Sequence, residues 1–212
     1  MKFFRSPGQI VALLLLIFAV IVFGLLAHEV VNENEDWFDS KVFTFFKSYS
    51  LPWIVNFFRY ISFFGSDYFL LPAYAIVVVT VFFKSQKTAA FDIALLAITS
   101  TLLLFGLKTA FGRVRPPFPL LITLKNYSFP SGHAVSSFIF FSIIAWLVWK
   151  TGISQKCKWL VSFFSFWLVI MVGVSRIVLR YHYASDVVAG FSLGMVCMIL
   201  FLFAQNLREH NQ

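Results

Sequence analysis

Six apolar runs dominate this chain, at 10–27, 66–83, 89–107, 133–149, 159–174 and 187–205. Each approaches the roughly 20 residues that a helix needs to cross a bilayer. Lipid offers no partner to an exposed backbone N–H or C=O, so such runs must bond within themselves as helices. The expected fold is therefore all-α, a polytopic helical bundle with six transmembrane helices. The composition agrees: with 60% apolar and 12% charged residues, the chain has too few charges to cover a soluble domain. A net charge of +8 would point to nucleic acid in a soluble protein. Here most of the cations flank apolar runs, where phosphate headgroups meet them, and no nucleic-acid partner is expected.

The first run follows Met1-Lys2-Phe3-Phe4-Arg5. Its apolar stretch is long for a signal peptide, and Leu25-Leu26-Ala27-His28 lacks a small-x-small cleavage site, so it is expected to be a retained anchor. The segment 29–65 is different. Glu29, Glu33, Glu35, Asp36 and Asp39 make its start acidic, and Trp37, Phe38, Val42, Phe45, Phe46 and Tyr49 recur at helical spacing. This pattern predicts an amphipathic helix lying in the interface between the first and second spans. Residues 51–64 form a second interfacial helix, a shallow re-entrant one or a further crossing; Pro52, Asn56 and Arg59 weigh against a free span. Cys157 lies in a basic loop and Cys197 in an apolar run, so no disulfide joins them. Without repeats or linkers, 1–212 reads as one domain. The loops carrying Lys84 and Lys87, and Lys150, Lys156 and Lys158, are short and purely basic. That asymmetry predicts cytoplasmic termini.

With six spans, three unusual segments fall on one membrane face. The first runs from Lys108 to Pro116, the second is Pro130-Ser131-Gly132-His133, and the third runs from Ser175 to Asp186. Ser131 is a natural N-cap, and Gly132 allows close backbone approach. The helix start behind them offers free N–H groups, a ready site for phosphate. His133 in the first turn of a membrane helix is uncommon, and such ionisable groups are usually functional. His182 and Asp186 share a helix face, so the carboxylate can fix the imidazole tautomer and free its other nitrogen for attack. Taken alone, H-x-x-x-D also describes a structural pair between helices. A metal site needs more ligands than this segment holds, and nearby Lys108, Arg115 and Arg176 would oppose a cation. These three are instead suited to phosphate: arginine forks match its oxygens, and lysine adds a point charge. Arg113 and Arg180 are assigned to lipid headgroups. Asn126-Tyr-Ser128 fits a glycosylation pattern too common to carry weight.

The ordered pattern K-x6-R-P, P-S-G-H and S-R-x5-H-x3-D resembles the signature of the type 2 phosphatidic acid phosphatase family (PAP2, the lipid phosphate phosphatases). All eleven specified positions agree: Lys108, Arg115, Pro116, Pro130, Ser131, Gly132, His133, Ser175, Arg176, His182 and Asp186. The resemblance implies that His182 attacks phosphorus to form a phosphohistidine, with Asp186 orienting it. It implies that His133 protonates the leaving oxygen and then activates water. Lys108, Arg115 and Arg176, with Ser131 and the Gly132 amide, would cradle the phosphate, without metal or other cofactor. The implied partners are a lipid phosphate in the bilayer and membrane lipids, with no obligate protein partner. The implied place is a bacterial plasma membrane, with the site at the extracellular face. Within the family the chain is similar to bacterial phosphatidylglycerophosphatases, which suggests phosphatidylglycerol phosphate as substrate. Undecaprenyl pyrophosphate and phosphatidic acid remain alternatives. A non-enzymatic lipid-phosphate binder or transporter would need the cations but not His133 or the His182–Asp186 pair. Vanadate-dependent haloperoxidases share such an anion pocket, but not the membrane spans.

Overall fold

The computed structural model describes residues 7–32, 37–47 and 51–210; among them the chain forms eight helices and no strand. They are α1 (Pro7–Val31), α2 (Trp37–Lys47), α3 (Pro52–Phe63), α4 (Asp67–Phe83), α5 (Lys87–Phe111), α6 (Gly132–Trp149), α7 (Gln155–Val178) and α8 (Ala184–His210). Met1–Arg5, Glu33, Glu35, Asp36 and Tyr49 lie outside the described residues. Six stretches are long and apolar enough to cross a membrane: α1, the run Pro52–Phe83 that joins α3 to α4, α5, α6, α7 and α8. This is a multi-pass membrane protein.

Local chemistry sets the helix ends that matter most. α5 runs a full turn past the predicted boundary, to Phe111, and stops where Gly112 takes φ +59°, the left-handed cap that glycine adopts without penalty. Lys108 thereby sits on the last helical turn. Pro52 opens α3, where its missing N–H costs nothing. Ser154 caps α7 by accepting a bond from the Cys157 amide.

The segment expected to lie in the interface is docked on the bundle. α2 rests on α7 and α8, while α3 packs along α7 and α4 along α5. With 12 residues, α3 is about 18 Å long, too short to be a separate crossing. The turn between α3 and α4 brings Gly65 against Val172 and His133.

α6 and α8 form the centre, with α7 and α1 against them. Ile93, Val135, Ile139, Ile143, Leu193 and Phe201 pack there, and Leu70, Phe140, Phe141 and Val169 form a second cluster beside α4. Apolar side chains gain little from leaving lipid, so close backbone approach becomes the main means of association. Gly190 provides it: a Cβ there would lie 2.8 Å from both the Ser131 carbonyl oxygen and the Ala134 Cβ. This contact seats the start of α6 beside the start of α8. At the opposite end, Asp92 of α5 accepts bonds from Gln205 and Arg208 of α8.

Gly190→Ala is therefore expected to lower stability by about 1–3 kcal/mol, the usual cost of overpacking, and to lower activity by displacing Ser131 and His133. Gly106→Ala has nothing within 4 Å and should be neutral. Thermal melts in detergent check both, and equal melting temperatures would count against this contact.

Candidate active site

The three motif segments, far apart in sequence, meet at one end of the bundle, opposite the Asp92–Arg208 contact. Asp186, in the first turn of α8, is fully buried. Its Oδ2 accepts a bond from the Tyr183 amide at 2.9 Å and another from the Ser128 hydroxyl, and lies 3.2 Å from His182 Nδ1. Its backbone oxygen accepts from the Ser131 amide at 3.0 Å, which joins the second motif to the third. A carboxylate accepts only, so Nδ1 of His182 carries the proton and Nε2 presents a lone pair.

That Nε2 lies 3.1 Å from Nη1 of Arg115. Arg115 is held in turn by the Tyr181 carbonyl, by the Asn126 carbonyl at 2.8 Å and by the Asn126 side chain at 2.8 Å. Lys108 donates to the Tyr127 and Ser128 carbonyls at 2.8 and 3.1 Å. Arg176 is buried, donates to Ser62 of α3 at 2.6 Å and stacks over the Tyr181 ring at 4.4 Å. Among the described residues its buried Nε has no hydrogen-bond partner, and neither has the buried Oγ of Ser131. Ser131 was expected to cap α6 with its side chain; it occupies the cap position, but makes no side-chain cap bond. Two unpartnered buried polar atoms within one cation cluster suit an anionic ligand. Gly132 is close-packed, since a Cβ there would lie 3.2 Å from Leu104 and 3.9 Å from Lys108 Cε. His133 is half-buried and within electrostatic reach of Arg176, His182, Arg115 and Lys108. Among the described residues no cluster of three or more metal-ligating side chains occurs.

Burial lowers the His182 pKa to about 3, against the hydrogen bond and charge of Asp186, so the ring stays neutral at working pH. The sign of the stability effect follows. Protonation favours the unfolded chain, where histidine titrates near 6.5. The contribution of His182 is thus complete above about pH 6.5 and is lost as the pH falls toward 3. Between these values the melting temperature of the wild type should fall more steeply than that of His182→Asn. Parallel curves would count against a neutral buried imidazole.

Some assignments change. Arg113 is not the simple headgroup contact that the sequence predicts: its Nη1 donates to Asp186 Oδ1 at 2.7 Å and its Nη2 to Asp39 Oδ2 at 2.8 Å. Burial opposes its charge, but Asp186 and Asp39 outweigh that and raise its pKa. Arg180 adopts φ +58° and lies over the Phe43 ring of α2 at 5.5 Å, turned to a neighbouring helix. Ser128, dismissed within a glycosylation pattern, supplies a bond to Asp186. Asp39, Ser62 and Ser185 were not anticipated, because nothing in sequence links them to the motifs. The one available signal was Asp39, an acid inside an aromatic helical stripe. Cys157 and Cys197 are both free.

The model of the PAP2 superfamily matches residues 89–209, from the start of α5 almost to the end of α8. The chain belongs to this superfamily. It is 33% identical over 150 residues to phosphatidylglycerophosphatase B of Bacillus subtilis, covering 70% of this chain and 74% of that protein. It is 32% identical over 146 residues to an uncharacterized 22.5 kDa protein in the cps region of Klebsiella pneumoniae, covering 68% of each. The crystal structure of a transmembrane PAP2 type phosphatidylglycerolphosphate phosphatase from Bacillus subtilis superposes with a TM-score of 0.81 at 28% identity, covering 93% of this chain and 97% of that one. Aquifex aeolicus LpxE superposes with a TM-score of 0.61 at 25% identity, covering 76% and 93%.

Proposed function

We propose that this PAP2 lipid phosphatase hydrolyses the terminal phosphate of phosphatidylglycerol phosphate to give phosphatidylglycerol. The observation that carries the mechanism is the setting of His182: its Nδ1 is tied to Asp186, and its Nε2 faces the Arg115 guanidinium. A protein that merely bound phosphate would need the cations, but not a nucleophile with an orienting partner.

In this reading Nε2 of His182 attacks phosphorus, and a P–N bond forms as the bond to the lipid oxygen breaks. His133 gives its proton to the departing alkoxide. It then takes a proton from water, which attacks the phosphohistidine and releases inorganic phosphate with His182 restored. Charge on the phosphoryl oxygens is met by Lys108, Arg115 and Arg176, with Ser131 and the Gly132 amide completing the cradle. These groups perform the step without a metal. The buried site at the bundle end suits a lipid whose tails stay in the leaflet. The likeness to the Bacillus subtilis protein supports phosphatidylglycerol phosphate over undecaprenyl pyrophosphate or phosphatidic acid. The basic loops at the opposite end support cytoplasmic termini in a bacterial plasma membrane, with the site facing outward.

Purified protein in detergent should release phosphate from phosphatidylglycerol phosphate with a chelator present. His182→Ala should fall to background, and His133→Ala by about 10²–10⁴-fold, the range for positioned acid–base groups. Activity retained in folded His182→Ala would overturn the nucleophile assignment, and loss on chelation would overturn the metal-free reading. Substrate choice is checked by kcat/KM for phosphatidylglycerol phosphate, phosphatidic acid and undecaprenyl pyrophosphate at equal surface fraction. The first should rank highest, and another lipid in that rank would replace it.

A further inference from the structure

We propose that Arg113 and Asp39 are positioning residues for Asp186 and, through it, for His182, which makes helix α2 part of the reaction machinery. The inference rests on the reading of His182 as the nucleophile.

The observation is an unbroken chain of charged contacts that leads away from the proposed nucleophile. His182 meets Oδ2 of Asp186, whose Oδ1 accepts from Arg113 at 2.7 Å. The other arm of the same guanidinium reaches Asp39 Oδ2 at 2.8 Å. Asp39 is only 5% exposed and Asp186 not at all, so neither carboxylate can turn to solvent for replacement bonds. Ser185 locks the far end: its amide donates to Asp39 Oδ1 at 2.8 Å, and its hydroxyl also contacts Asp39. That hydroxyl accepts from Arg113 as well, at 2.7 Å, and the guanidinium lies over the Tyr183 ring at 4.2 Å.

Rotation of the Asp186 carboxylate is what this arrangement controls. Ser128, the Tyr183 amide and His182 all address Oδ2. Those contacts alone leave Oδ1 of a fully buried carboxylate without a partner. Arg113 occupies Oδ1, so the carboxylate plane has one favoured orientation and Oδ2 stays on His182 Nδ1. A fork with two arms is required, which lysine lacks. Asp39 holds that fork at its other end, and Asp39 belongs to α2, a helix the motifs do not include. Both terminal nitrogens of Arg113 donate to carboxylates, Nη1 to Asp186 and Nη2 to Asp39, so it is not a phosphate ligand.

The test is kinetic and spectroscopic, on full-length protein in detergent. Arg113→Ala and Asp39→Asn should lower kcat about 10–100-fold, by analogy with the loss of groups that orient metal-ligating histidines, with KM within about threefold of wild type. Arg113→Lys should recover only part of the loss, since it restores charge without the fork. The chain has four histidines, so ring ¹⁵N signals can be assigned by comparison with His182→Asn. His182 should be a single Nδ1–H tautomer in the wild type and a mixture in Asp39→Asn and Arg113→Lys. A merely structural role would lower the melting temperature and leave that tautomer intact. Wild-type kcat with an unchanged tautomer in folded Asp39→Asn and Arg113→Lys would overturn the inference. So would a raised KM at unchanged kcat, which would make Arg113 a substrate ligand. His182→Ala separates the two readings. If it stays active, the nucleophile assignment falls and this inference with it. If it is dead while the other variants behave as wild type, only the positioning role falls.

Discussion

The buried Asp186 carboxylate is the contact on which the rest of this structure depends. A fully buried anion is tolerated only when its oxygens are bonded and its charge is met. Here the Tyr183 amide, Ser128, His182 and Arg113 converge on it, while its backbone oxygen takes the Ser131 amide. Satisfying this one residue draws together the start of α6, the start of α8, the turn after α7 and the loop that follows α5. The three motif segments therefore meet as a consequence of burying a charge, and the geometry of the candidate site is also a folding constraint.

The surrounding helices explain how that end of the bundle can be so crowded with cations. Arg115 and Lys108 lean on the carbonyls of Asn126, Tyr127 and Ser128, and Arg176 leans on Ser62 and the Tyr181 ring. Backbone oxygens and an aromatic face temper repulsion between the cations without neutralising them. The positive field remains available for a phosphate. Close contacts at Gly190 and Gly65 keep α6 tight against α8 and the α3–α4 turn, with His133 within electrostatic reach of His182.

Spans and motifs were legible because their signals are local. Continuous apolar runs announce helices, and the spacing of Lys108 to Arg115, or of His182 to Asp186, is kept within a single segment. The positions of α2 and α3 were not legible. Their amphipathic pattern suits a membrane interface as well as a protein surface, and the packing of α2 on α7 and α8 and of α3 along α7 is visible only in the fold. Arg113 illustrates the same limit from the opposite side. Two positions from Arg115, it looked like a headgroup contact, since flanking arginines often are, and its partner Asp39 lies 74 residues away.

The amino-acid sequence by itself determined the class of solvent, the number of long apolar helices, the motif residues and the face on which they gather. Hydrophobic length and helical periodicity are properties of single segments, so no partner is needed to express them. Tertiary structure alone decided which nitrogen of His182 meets Asp186 and which meets Arg115, which carboxylate oxygen Arg113 takes, and how Asp39 of α2 comes to join the site. Those outcomes depend on distances between atoms of different helices, and such distances exist only once a buried charge has collected its partners.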